Sequence, residues 1–147
     1  MKVKIKILDH GHGLKIPSKS TLNAACVDLY AAIQNEVVLT SASPLLIPCG
    51  FCLEIPVGYE AQIRPRSGLA LKNMVTVLNT PGTIDSDYRG EVCVILLCHS
   101  VQGFIVRRGD RIAQMAIRKT EEFEFEVVDE LSETKRAEGG FGSTGVN

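Results

Sequence analysis

Two-residue periodicity dominates the chain. Val3, Ile5 and Ile7 alternate with Lys2, Lys4 and Lys6, which predicts a strand with one face toward a core and the other toward water. Tyr59, Ala61 and Ile63 alternate with Glu60, Gln62 and Arg64, and Phe123, Phe125 and Val127 with Glu122, Glu124 and Glu126; each predicts another one-faced strand. Residues 92–98 are apolar throughout and predict a strand buried on both faces, either in a sandwich core or along an oligomer axis. Breakers separate these runs at Pro17, Pro44, Pro48, Pro56, Gly58, Pro81, Gly82 and Arg108-Gly-Asp110. Short strands at that spacing predict an all-β barrel or jelly roll. One short helix is expected over Ser67–Asn73, with Pro65 or Ser67 near its start.

The C-terminus differs in kind. Residues 137–145 are rich in Gly and hydroxyl side chains around one aromatic, Phe141, and bury too little to order themselves. They read either as a frayed terminus or as a lid that orders on a ligand. The expected organisation is a β-barrel over 1–135 and a flexible Gly-rich arm of the same domain over 136–147.

Composition narrows the function classes. At 147 residues the chain fits one domain whose core needs neither disulfides nor a structural metal. Sixteen Lys and Arg balance 17 Asp and Glu, so no global basic field recruits nucleic acid, and an anionic ligand must be held by a local site. The N-terminal alternation is no secretory signal and no apolar run spans a bilayer; the expectation is a cytoplasmic protein without nucleic-acid or membrane partners. The five cysteines, Cys26, Cys49, Cys52, Cys93 and Cys98, are odd in number, as reduced thiols allow. Cys49-Gly-Phe-Cys52 has knuckle spacing without a second ligand pair, so these read as strand or turn thiols packed as small hydrophobes. His10, His12 and His99 read as structural or solvated.

Three segments carry candidate chemistry. Gly140-Phe-Gly-Ser-Thr-Gly145 fits the G-x-G-x-x-G pattern, but no helix can follow it, so it is no dinucleotide fingerprint. Arg64-Pro-Arg-Ser-Gly-Leu69 sets Arg66 and Ser67 where a strand gives way to a helix. There free N–H groups and a guanidinium suit phosphate, although an N-cap serine beside a surface arginine has the same pattern. Residues 79–90 read as a hairpin between two apolar strands. Asp85 and Asp87 are either turn residues or include a general base held beside Tyr88.

Taken in order, five segments resemble the five motifs of the trimeric dUTPase family: 25–31 (Ala-Cys-Val-Asp-Leu-Tyr-Ala), 65–69, 79–90, 109–115 (Gly-Asp-Arg-Ile-Ala-Gln-Met) and 136–145. Cys26 and Ala137 stand where that family usually has glycine. The resemblance implies a jelly-roll-like distorted barrel, assembled as a homotrimer with shared sites. It implies hydrolysis of dUTP to dUMP and pyrophosphate, which keeps dUTP low and supplies dUMP for thymidylate synthesis. Asp85 would activate the water that attacks the α-phosphate. Asn79, Thr83, Ile84 and Cys93 would hold uracil, and Tyr88 would stack on the deoxyribose. Arg66, Ser67, Gly68 and Gln114 would bind phosphates, and Asp28 would hold waters of Mg²⁺ on the triphosphate. Arg136, Gly142, Ser143 and Thr144 would close over the phosphates with Phe141 over the base. Phosphoryl transfer, which needs positioning and charge neutralisation more than covalent help, suits such a set. Two alternatives share the fold: a dCTP deaminase, whose hairpin acid is typically followed by Pro-Gly-aromatic rather than Ser86-Asp87-Tyr88, and a catalytically silent trimeric nucleotide-binding or regulatory protein.

Overall fold

A computed structural model describes residues 1–140. Its strands are β1 (Lys4–Ile7), β2 (Val27–Tyr30), β3 (Val37–Leu39), β4 (Leu45–Glu54), β5 (Tyr59–Arg64), β6 (Val75–Val77), β7 (Gly82–Ile84), β8 (Glu91–Cys98), β9 (Phe104–Val106) and β10 (Arg111–Lys119). The single α-helix among the described residues, α1, spans Ser67–Asn73, as its sequence predicts. Two four-stranded sheets, ordered β1-β4-β8-β6 and β2-β10-β5-β7, and a two-stranded β3-β9 ribbon make an all-β, jelly-roll-like fold. Every strand pair is antiparallel.

The core lies between the sheets. Leu29, Ile47, Val92, Val94, Leu96 and Ile112 are essentially inaccessible, each side chain contributing about 1.5–3 kcal/mol by burial. No buried polar side-chain atom among the described residues lacks a partner. All five cysteines are free thiols, two buried and three half-buried.

Four expectations need correction. The apolar run 92–98 is not buried on both faces within a single chain's sandwich core: Val92, Val94, Leu96 and Cys98 enter the core, while Cys93, Ile95 and Leu97 stay half-exposed. Pro48 does not end a strand. It lies within β4, where the register with β8 slips between Pro48 and Cys52; a bulge absorbs the missing donor, and Gly50 takes φ 76 there. The apolar face of β1 is only partly covered within one chain: Val3 and Ile7 pack against the core, while Ile5, 37% exposed, lines an open groove with Ile16, Phe51, Met115 and Ile117. Finally, Phe123, Phe125 and Val127 form no strand. They are 75%, 90% and 97% exposed, because no strand among the described residues pairs with them.

Candidate active site

The hairpin between β6 and β8 is more than a simple turn. Its first half forms β7, which crosses to the other sheet and pairs with β5, Gly82 opposite Ile63, Thr83 opposite Gln62 and Ile84 opposite Ala61. A turn follows, closed by the Tyr88 amide donating to the Asp85 carbonyl at 3.2 Å. Arg89 staples the turn by donating from Nη1 to the carbonyls of Ser86 at 2.7 Å and Tyr88 at 3.0 Å. Tyr88 Oη donates to the Glu91 carbonyl at 3.2 Å. Together these fix a cavity of about 190 Å³ lined by Thr83, Ile84, Asp85, Tyr88, Glu91, Val92 and Cys93. Ile84 and Val92 are buried, while Asp85 and Tyr88 are exposed at the rim. Burial pushes the Cys93 thiol up, with the Glu91 carboxylate and Cys52 adding to it, so this thiol is uncharged at neutral pH.

Of the residues expected here, Thr83, Ile84, Asp85, Tyr88 and Cys93 meet at this cavity. Asn79 does not line it. Its exposed side chain packs over Gly82, 3.2 Å from where a Cβ would stand. Sequence reading missed Glu91, whose Oε1 lies 2.7 Å from His10 Nε2 and accepts the Gly50 amide at 2.8 Å. The available signal was a lone carboxylate opening an apolar run. His10 is accordingly structural, as expected.

A second polar cluster forms where β2, β10 and the end of β5 run side by side. The register places Asp28 opposite Gln114, and Gln114 opposite Arg64. Asp28 Oδ1 accepts Arg66 Nε at 2.9 Å; Oδ2 accepts Arg111 Nη1 at 3.3 Å and Ser20 Oγ at 3.4 Å. Arg66 also donates to the Arg111 carbonyl at 3.2 Å, and Gln114 Nε2 to the Pro65 carbonyl at 2.8 Å. Extended at the N-cap of α1, Arg66 leaves Ser67 and Gly68 exposed on the first turn. Two guanidinia on one carboxylate leave a net positive charge, which suits an anion. Arg111 was not singled out from sequence, although its segment was. Among the described residues no group of three or more His, Cys, Asp or Glu could hold a metal ion, and both Asp28 oxygens already serve arginines.

One chain keeps the two groups apart. Asp85 lies at the Tyr59 end of β5, Arg66 beyond its Arg64 end, and three strand steps separate β2 from β7. At about 3.3 Å per residue and about 4.8 Å per strand spacing, roughly 20 Å divides them. Arg136 is exposed and donates from Nε to the Gly139 carbonyl at 2.8 Å. Ala137 takes φ 42, the left-handed region that glycine enters without steric cost. The residues expected in the tail, Phe141, Gly142, Ser143 and Thr144, lie outside the described residues.

Comparison with known proteins agrees across the chain. A relative from Wolbachia pipientis subsp. Culex pipiens (strain wPip), named deoxyuridine 5'-triphosphate nucleotidohydrolase, is 52% identical over 147 residues, covering 99% of this chain and 96% of its own. A protein of the same name from Anaplasma marginale (strain St. Maries) is 50% identical, with 99% of both chains covered. Among solved structures, a mutant Staphylococcus bacteriophage 80alpha dUTPase with dUpNHpp superposes with a TM-score of 0.85 at 23% identity, covering 99% of each chain. A mutant dUTPase from phage phi11 of S. aureus, described with a structural Mg(II) ion, superposes at 0.76 and 20% identity, covering 88% of this chain and 98% of its own. The dUTPase family model matches residues 13–145, and the chain belongs to the dUTPase family.

Proposed function

We propose that the protein hydrolyses dUTP to dUMP and pyrophosphate as a homotrimer whose sites are shared between subunits. The observation that carries this reading is the hairpin cavity: a small slot walled by Ile84, Val92 and Cys93, with an exposed carboxylate, Asp85, and a phenol, Tyr88, on its rim. Uracil enters the slot between the backbone of Thr83 and Ile84 and the wall at Cys93, where a 5-methyl group would not fit. Tyr88 stacks on the deoxyribose and leaves no room for a 2′-hydroxyl. Asp85 takes a proton from the water that attacks the α-phosphate, and pyrophosphate leaves.

Arg66, Ser67, Gly68 and Gln114 receive the phosphates, with Arg111 as a second guanidinium. Asp28 has no free pair of oxygens for a directly bound ion, which suits a hydrated Mg²⁺ carried by the triphosphate and reached through its waters. When bound, such an ion would supply charge neutralisation for the phosphates. Arg136 and the arm that follows it close over the substrate and exclude water.

Two observations support assembly. The hairpin cavity and the arginine cluster stand roughly 20 Å apart in one chain, which suits a site completed by a second copy. Apolar faces are also left open, the groove beside Ile5 and the Phe123, Phe125 and Val127 side chains, as expected of surfaces covered by another subunit.

Incubation with dUTP, dCTP, dTTP and UTP plus Mg²⁺, with products identified, tests the reading. The expected outcome is dUMP and pyrophosphate from dUTP, with little turnover of the others. Ammonia from dCTP would indicate the deaminase branch of the fold, and no turnover a silent binding protein.

A further inference from the structure

Gly90 joins the hairpin turn to β8, and its backbone does not explain why it is glycine. The glycines with left-handed φ among the described residues are Gly13, Gly50, Gly58, Gly103 and Gly109. Gly90 is not among them, so its conformation is open to any residue. Space explains it instead. A Cβ on Gly90 would lie 2.3 Å from Tyr88 Oη, 2.4 Å from Cζ and 2.9 Å from Cε2, well inside van der Waals contact. The phenol therefore rests against the Gly90 backbone, with its hydroxyl latched to the Glu91 carbonyl at 3.2 Å. The three nearest atoms that a methyl would meet all belong to one side chain, itself half-exposed. A methyl would therefore move the ring outward and spare the barrel.

We propose that Gly90 is a specificity-determining residue: by seating the Tyr88 phenol at the rim of the hairpin cavity, it sets the discrimination between deoxyribose and ribose. This rests on the reading of Tyr88 as the sugar contact in dUTP hydrolysis. Gly90 acts through the ring and touches no substrate, so it is a positioning residue.

A double-mutant cycle tests it. Gly90→Ala, Tyr88→Ala and the double variant are compared with wild type by kcat/KM for dUTP and UTP and by thermal melting. Gly90→Ala should lower the dUTP-to-UTP ratio by about tenfold or more, the effect of a methylene-sized misfit. In the Tyr88→Ala background the same substitution should add nothing, because the atoms it displaces are gone. An unchanged ratio in Gly90→Ala overturns the proposal, and so does an equal effect in both backgrounds, which would make the methyl a defect of the fold. If Gly90→Ala alone is insoluble, a soluble double variant still supports the clash with the ring; two insoluble proteins refute it. Wild-type protein that leaves dUTP intact would sink the functional reading itself, and the specificity role with it.

Discussion

Every residue lining the hairpin cavity comes from one continuous stretch, 83–93, whereas the arginine cluster gathers Ser20, Asp28, Arg66, Arg111 and Gln114 from separate parts of the chain. The two are also held differently. The hairpin is fixed by backbone pairing of β7 with β5, by a closed turn and by Arg89 on two carbonyls. The cluster is fixed by ion pairs on a single half-buried carboxylate. Selection by shape needs rigid walls at a small radius, which a short bonded hairpin supplies. Selection by charge needs guanidinia held ready without being neutralised, and one carboxylate shared by two arginines does that. The difference suits the division of labour proposed above, in which one end of β5 would read the nucleoside and the other would grip the phosphates.

The largest effect should come from removing the group that joins the two tasks. Asp85→Asn should lower kcat by roughly 10²–10⁴, the usual contribution of a general base, while leaving fold and nucleotide affinity nearly unchanged. The hairpin's turn bond uses the Asp85 carbonyl and not its carboxylate, so the turn survives the change. Single-turnover kinetics beside equilibrium binding of a non-hydrolysable dUTP analogue separates the two quantities. Near-normal turnover would remove Asp85 from the mechanism.

The separation along β5 can be broken genetically. An Asp85→Asn chain and an Arg66→Ala chain should each be nearly inactive alone. Co-expressed in equal amounts, they form mixed trimers. A site works where an Arg66→Ala chain donates the hairpin and an Asp85→Asn chain donates the cluster, roughly one site in four for distinct donors under closed symmetry. Activity near a quarter of wild type supports shared sites. No recovery, with mixing confirmed by native mass spectrometry, would mean that each chain builds its own.

Much of this was legible before any coordinates. Ala61 and Ile63 follow their alternation into the core, and α1 occupies its expected span, because local pattern and burial agree there. The cavity was legible for the same reason that it is contiguous. Glu91, Arg89 and Arg111 were not, because their roles depend on what lies across a sheet or a turn, at Gly50, Ser86 and Asp28. The failed strand at Phe123 has a different cause. Period-2 alternation reports that a face wants burial, not which chain buries it. The same ambiguity applies to β8, where continuous apolar sequence corresponds to one buried face and one half-open face.

The smallest effect concerns pH and falls on the hairpin side alone. Cys93 is in the cavity wall, and Cys49 is buried in the β4 bulge behind it. Burial pushes both thiols up from the ordinary range, Cys49 far more strongly, with Cys93 and Glu91 adding to it. The sign follows from proton binding. Below the ordinary thiol pKa of about 8.5, folded and unfolded chains both hold these protons, and pH has no leverage. Above it the unfolded chain releases them while the folded chain keeps them, so stability falls as pH rises. For Cys49 the loss approaches about 1.4 kcal/mol per pH unit, of order 2 kcal/mol by pH 10. Melting temperature measured from pH 7 to 10 should therefore decline more steeply in wild type than in Cys49→Ala, whatever the variant's starting stability. Cys93→Ala, at a half-buried site, should flatten the slope less. Parallel slopes in all three proteins would show that the thiols behind the cavity are not what alkali attacks.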